Sequence, residues 1–321
     1  VEISARVRLG ATDLWPTRLG LGLAPLAGLY TPVSEAQATA TIDRAWEYGV
    51  RLFDTAPLYG YGRSERLAGA ALAGRPRDEY VLASKVGRLL RPASPDGDAG
   101  QEIWADPDPE LVPSFDFSAD GVRRSVAGSL ARLGTTHLDI AHLHDPDDHW
   151  PQAAGDGHRA LTELRAEGTV RAVSAGMNQT AMLTRFVRER GLDCLLVAGR
   201  YTLLDQSAAD ELLPACAEHR VGVLAAGVYN SGILAGPRPG ATYDYAPADP
   251  PTLARAQAIA EVCGRYQVPL RAAAVQFPLR HPAVSAVVVG ARSPAEVDDA
   301  VRAFEYEIPP TLWTALHDGA C

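Results

Sequence analysis

Short apolar runs that alternate with stretches of helical spacing constrain this 321-residue chain more than any other feature. The runs fall at 17–23, 51–54, 80–84, 138–143, 170–175, 194–197, 221–225 and 284–289. Between them lie helix-period segments at 35–48, 63–72, 118–133, 157–167, 180–190, 207–219, 252–264, 269–280 and 293–304, with a last one at 310–316. Ser34 before the first helix and Gly49 after it are a start and a stop signal. Eight strand–helix repeats predict an α/β chain folded as a (β/α)8 TIM barrel, one domain over 1–321. An open doubly wound sheet is the competing architecture. It needs a glycine fingerprint after its first strand, and LGLGLAPLAG at 19–28 is neither spaced for that nor followed at once by a helix.

Two stretches break the rhythm, 87–118 and 228–250, and both are expected as long loops on one rim of the barrel. The first carries Trp104, Phe115 and Phe117 among prolines and aspartates. It is expected to be without regular structure and to cover the substrate.

Composition excludes several classes of function. A hydrophobic fraction of 47% is that of a chain with a large core, and a net charge of -9 without any Lys/Arg block argues against a nucleic-acid partner. No apolar run is long enough to span a bilayer and the first residues do not read as a secretory signal, so a cytoplasmic protein acting on a small molecule is expected. The four cysteines, Cys194, Cys216, Cys263 and Cys321, lack the paired spacing of zinc or redox sites, and no metal is expected.

Parallel strands in a barrel place their C-terminal ends on one face, which is where chemistry is assembled. Asp54 ends the second run, Tyr59 follows it in a turn rich in glycine and proline, Lys85 ends the third run and His144 the fourth. A lysine at the end of an apolar strand must meet an anion or lose its charge, and Asp54 on the adjacent strand is the obvious partner. Such a pair is expected to draw the Tyr59 pKa down from its ordinary value near ~10, making Tyr59 a proton donor or acceptor near neutrality. His142 points the same way as His144 by strand period and is its rival, with only the turn into Asp145-Pro146 favouring His144.

These residues resemble the aldo-keto reductase family over nearly the whole chain: an Asp-x4-Tyr arrangement, a strand-end lysine and a Leu-Asp-Ile-x3-His run fall in order as Asp54 with Tyr59, Lys85, and 138–144. The family register selects His144. The resemblance implies hydride transfer involving C4 of a nicotinamide cofactor, NAD or NADP, with Tyr59 as general acid or base, Lys85 and Asp54 tuning it, and His144 orienting the substrate. Cofactor contacts are implied where the family places them. Asn178 stands one position beyond the family's carboxamide-binding site. Ala226 and Gly227 replace its stacking tyrosine, leaving Tyr229 to reach over the nicotinamide. Gly290, Arg292, Ser293 and Glu296 lie where phosphate and adenosine bind, with backbone N–H groups near Ser293 as an anion site. Glu296 stands where NADP-preferring members carry arginine, implying a preference for NAD, against which Arg292 would act. The segments GRYTLLDQ, NSGIL and QFPLRHPAV further resemble bacterial aldose 1-dehydrogenases acting on L-fucose, L-galactose or D-arabinose-like sugars, and a pyridoxal 4-dehydrogenase is similar. The implied substrate is a sugar or other cyclic hemiacetal, with NADPH-dependent aldehyde or ketone reduction as the alternative.

Overall fold

A computed structural model describes residues 2–94 and 103–319. Eight parallel strands close into a barrel: β1 (Leu19–Gly22), β2 (Leu52–Asp54), β3 (Val81–Val86), β4 (Leu138–His144), β5 (Val170–Met177), β6 (Cys194–Ala198), β7 (Gly222–Ala226) and β8 (Val284–Gly290). Their order round the barrel follows the chain, and β8 pairs with β1 to close it. The helices outside are α1 (Glu35–Glu47), α2 (Arg63–Leu72), α3 (Ala119–Leu133), α4 (His158–Ala166), α5 (Thr180–Arg190), α6 (Leu212–His219), α7 (Pro250–Arg265), α8 (Leu270–Gln276) and α9 (Pro294–Glu305), with α10 (Pro310–Gly319) last. Ser34, Ser118, Asp249 and Ser293 each accept a hydrogen bond from a first-turn backbone N–H, starting α1, α3, α7 and α9. This is the (β/α)8 TIM barrel that the alternation predicts. Among the described residues no helix is long and apolar enough to cross a membrane.

Strand period puts every second side chain inside the barrel. The lower interior is apolar: Leu52, Val81, Ala83, Ile140, Ala172, Leu196 and Leu224 cluster there with Leu9 and Leu14. The last two belong to the N-terminal turn-back, in which Val7 N and Leu9 N donate to Pro16 O and Leu14 O, so this segment plugs the barrel floor. At the other end the inward positions turn polar, with Asp54, Lys85, His142, His144 and Ser174 all buried.

The rim segment 87–118 differs from the expectation of a structureless loop. Arg88–Pro92 pairs antiparallel with Leu111–Phe115, from Arg88 opposite Phe115 to Pro92 opposite Leu111. Prolines 92 and 113 hid this hairpin, because a two-stranded ribbon on the rim tolerates residues that an interior strand would not. Its aromatics divide. Phe117 is fully buried beneath Gly87, Trp104 packs against Tyr59, and Phe115 stays 49% exposed. The second rim segment is also partly ordered, with a 3-10 turn at Asn230–Ala235 and a hairpin of Thr242–Tyr243 with Ala246–Pro247.

Gly87 carries the chain from β3 into the first hairpin at φ 94°, and a Cβ there would sit 1.9 Å from the Phe117 ring. Gly87→Ala should therefore destabilise the protein by about 2–4 kcal/mol through backbone strain and overpacking. The shift of the denaturant midpoint measures it; a variant as stable as the parent would show that Phe117 is not held against this turn.

Candidate active site

Neighbouring strands bring Lys85 and Asp54 together above the apolar interior. Lys85 Nζ donates to Asp54 Oδ2 at 2.6 Å and to the carbonyl of Thr55 at 2.9 Å, with both side chains buried. Burial works against the charge of each, but the opposite charge wins: the Asp54 pKa is lowered, and that of Lys85 is raised by Asp54 and then by Tyr59.

Tyr59 sits in the turn after β2. Three consecutive left-handed residues, Gly60, Tyr61 and Gly62, end that turn and lead into α2. The Tyr59 ring is held on three sides, with its centroid 4.8 Å from Lys85 Nζ, 6.0 Å from the His144 ring in an edge contact, and 5.7 Å from Trp104. The expected downward shift of its pKa is not what results. Burial pushes the phenol up to about 12; Lys85 pulls it down, Asp54 pushes it up again, and burial is the largest influence. A lysine already neutralised by a carboxylate at 2.6 Å has little field left to offer a buried hydroxyl.

The two histidines of β4 occupy successive inward positions. His144 is the one that meets Tyr59, and burial followed by the positive charges of Arg88 and Lys85 holds its pKa well below the ordinary histidine value. Its Nε2 lies 3.6 Å from Asp145, which Arg88 of the first rim hairpin holds at 2.7 Å, while Nδ1 is buried without a partner among the described residues. His142 lies one step deeper, beside Asp54 and Ser174. The structure thus brings Asp54, Tyr59, Lys85 and His144 together at the C-terminal mouth.

A cavity of about 510 Å³ opens at the same mouth, well within the range of ligand sites. Asn178, Gly227, Tyr229, Gly290, Arg292 and Glu296 all line it. Ser293 stands behind this wall as the cap of α9. The extra residue between Gly176 and Asn178 is explained by strand parity: Met177 turns outward into the core at 2% exposure, so Asn178 is the next side chain available to the mouth. The expectation of free N–H groups near Ser293 meets a different arrangement. Glu296 N donates to Ser293 Oγ and Arg292 N to Glu296 Oε2, so two of the N–H groups near Ser293 are taken by the chain's own side chains. Tyr229 lines the cavity with its hydroxyl in the field of Asp299 and Arg271, which line it as well.

Sequence reasoning missed a further tyrosine of the mouth, 62% exposed. Tyr245, at the tip of the second rim hairpin, lines the cavity with its hydroxyl in the field of Asp145 and Lys85. The hairpin is fastened by a two-pronged Arg200–Asp244 contact at 3.0 and 2.7 Å, and Asp244 and Tyr245 both have positive φ. Aspartate suits the first position of such a turn but tyrosine does not suit the second, so the local signal was weak. Asn230 was missed as well: it lines the cavity, donates to Gly199 O at 3.0 Å, and leaves a buried Oδ1 without a partner among the described residues. An unfilled acceptor on one wall and the Asn178 amide on another suit a carboxamide, which both donates and accepts, so the residues present fit a nicotinamide.

The Lys85–Asp54 contact yields a stability test independent of activity. Lys85→Met and Asp54→Asn should each cost about 3–5 kcal/mol, because each strands a buried charge, and the double variant should cost clearly less than their sum. Strict additivity in denaturant unfolding would show that the two groups do not depend on each other.

The sequence profile of the aldo/keto reductase family matches residues 18–318. The chain is 42% identical to a pyridoxal 4-dehydrogenase from Microbacterium luteolum, across 98% of this chain and 97% of that one. It is 43% identical to a D-threo-aldose 1-dehydrogenase from a Pseudomonas species, across 93% and 92% respectively. In three dimensions it is similar to the holo form of an aldo-keto reductase from Bacillus halodurans, with a TM-score of 0.78 and 26% identity over 99% of this chain and 97% of the other. The chain belongs to the aldo/keto reductase family and is an NAD(P)-dependent oxidoreductase of that type.

Proposed function

We propose that the protein oxidises the C1 hemiacetal hydroxyl of an aldose such as L-fucose, D-arabinose or L-galactose to the lactone, with Tyr59 as general base and NAD as the preferred cofactor. The observation that carries this reading is Tyr59 held between the Lys85 ammonium and the His144 ring, beside a cavity whose walls suit a nicotinamide. The substrate class rests on two similar proteins whose names specify pyridoxal and D-threo-aldoses, both of which can present a cyclic hemiacetal hydroxyl. A bound nicotinamide supplies the hydride acceptor at its C4. The chain supplies the rest. Tyr59 Oη takes the hydroxyl proton, Lys85 lowers the cost of the phenolate, and neutral His144 orients the reacting oxygen through a ring nitrogen. Asn178 and Asn230 hold the carboxamide, and Gly227 and Gly290 let the cofactor lie close to the backbone.

With the Tyr59 phenol pushed up to about 12, only a small fraction is deprotonated at neutral pH, and that fraction grows as pH rises. Oxidation should therefore accelerate with pH through the neutral and alkaline range. The protonated form that predominates at neutrality is also the proton donor for carbonyl reduction, which is the specific observation favouring reductase activity as a second reading. Initial rates with L-fucose, D-arabinose, L-galactose, pyridoxal and a simple aldehyde test both, and a sugar should give the highest kcat/KM. Tyr59→Phe should lower kcat at least ~100-fold while cofactor Kd stays near the parent value. Turnover near the parent in that variant would remove Tyr59 from the reaction.

Preference for NAD follows from the charges on the cavity wall. Arg292 Nε lies 3.4 Å from Glu296 and Arg271 is paired with Asp299, so both lining arginines are already matched by carboxylates. A 2′-phosphate would have to compete with Glu296 for Arg292, a like-charge cost that the ribose hydroxyl of NAD does not incur. The ratio of kcat/KM for NAD over NADP should exceed one and should fall about tenfold or more in Glu296→Arg, a change of roughly 1.4 kcal/mol. A parent ratio below one, or a ratio unmoved by the substitution, would exclude Glu296 as the determinant.

A further inference from the structure

We propose that His142 is a positioning residue for the oxidoreductase reaction: it fixes the Asp54 carboxylate from the side opposite Lys85 and is itself fixed by Ser174. The inference rests on the reading of Tyr59 as the proton-transfer group and extends the working site one step into the barrel.

The three residues Lys85, His142 and Ser174 are register partners across β3, β4 and β5, so they form one row of inward side chains directly under the mouth. His142 is fully buried. Its Nδ1 lies 2.7 Å from Ser174 Oγ, and its Nε2 lies 3.5 Å from Asp54 Oδ1. Neither that nitrogen nor that oxygen has a hydrogen-bond partner elsewhere among the described residues. Lys85 takes the other oxygen, Oδ2.

The chemistry of these groups allows one arrangement. An ionised carboxylate only accepts, so the contact with Asp54 is favourable only if Nε2 carries the proton. Burial keeps the ring neutral, so Nδ1 is then bare and must accept from the Ser174 hydroxyl. Asp54 thus selects the tautomer that aims an N–H at it, and the Ser174 hydroxyl supports that tautomer by donating to Nδ1. The titratable groups around the ring are Asp54 on β2, Lys85 on β3 and His144 on its own strand, with Cys194 of β6 as the register partner of Ser174. A histidine kept only for packing would not need to put one nitrogen against a hydroxyl and the other against the carboxylate of the ion pair.

The functional consequence passes through charge. Asp54 raises the Tyr59 pKa. An N–H aimed at Oδ1 draws carboxylate density away from Tyr59, so its loss should disfavour phenolate.

The test compares three replacements of one ring. His142→Leu should lower kcat about tenfold, leave substrate KM within about twofold, and move the rising limb of the oxidation pH profile to higher pH by about half a unit or more. Glutamine, whose Nε2 occupies the place of the ring Nε2, should recover most of both losses, whereas asparagine, which replaces only the Nδ1 arm, should recover neither. Equal loss in all three variants with an unshifted limb, or parent-like behaviour in His142→Leu, overturns the proposal. If His142→Leu does not fold, Ser174→Ala serves instead: it removes the donor to Nδ1 that holds the ring and should shift the limb in the same direction by less, and an unmoved limb overturns the proposal equally. Tyr59→Phe separates this from the underlying reading. Should that variant retain both turnover and limb, the assignment of Tyr59 fails, while the kcat loss in His142→Leu and its recovery by glutamine still decide the role of His142.

Discussion

An ammonium group with almost no contact with water stays charged only where an anion is fixed beside it, and in this barrel that anion is Asp54, 2.6 Å from Lys85 Nζ. The arrangement of the mouth follows from this requirement. Asp54 must end β2 and Lys85 must lie on the next strand, at an inward position far enough along to reach back. Asp54 is the register partner of Ala83, so Lys85, two residues further on, points inward on the same face. The remaining donor capacity of the ammonium goes to Thr55 O and toward Tyr59, which ties the turn after β2 to β3. The pair is thus a fastening for the turn that carries Tyr59 as well as a source of field. Both partners of the pair are supplied by the chain itself, on adjacent strands.

The same strand parity separates stability from chemistry along each strand. Lower inward positions are leucine, valine, isoleucine and alanine, and they pack on the Leu9 and Leu14 plug; upper ones are Asp54, Lys85, His142, His144 and Ser174. The polar row rests on a dry floor. Its members therefore have to satisfy one another, which is why hydrogen-bonding atoms left over in this region, Asp54 Oδ1 and His142 Nε2, face each other.

What could be read from the sequence was what repeats or what a strand end must satisfy. The barrel was legible because eight alternations leave few other folds, and Asp54 with Lys85 because a strand-end lysine needs a counter-charge. The choice between His142 and His144 was not decided by strand period, since both face inward. Depth decides it: only the outer one reaches Tyr59, and the inner one meets Asp54. The direction of the Tyr59 shift differs from the expectation because burial of the phenol outweighs the pull of Lys85, and burial of a turn residue is not written in its neighbours. The hairpin within 87–118 and Tyr245 were invisible for a different reason. Their positions are set by tertiary fastenings, Arg88 to Asp145 and Arg200 to Asp244, whose partners are far away along the chain.

Those fastenings also shape the electrostatics of the mouth. Arg88, Arg200, Arg271 and Arg292 stand round it, yet each is engaged with an aspartate or glutamate of the chain itself. The mouth therefore offers little uncommitted positive charge, and the start of α9, a natural anion site, already holds the carboxylate of Glu296 against the Arg292 N–H. An anionic ligand has to be held by shape, by backbone and by the amides of Asn178 and Asn230, with an arginine released only where the ligand displaces its carboxylate. Each displacement leaves a carboxylate to be rehydrated or repelled, so every additional phosphate adds a cost as well as an attraction. On the proposed function, discrimination between dinucleotides that differ by one phosphate would be a property of the intrachain ion pairs, and the rigidity of the rim and its selectivity would have the same physical origin.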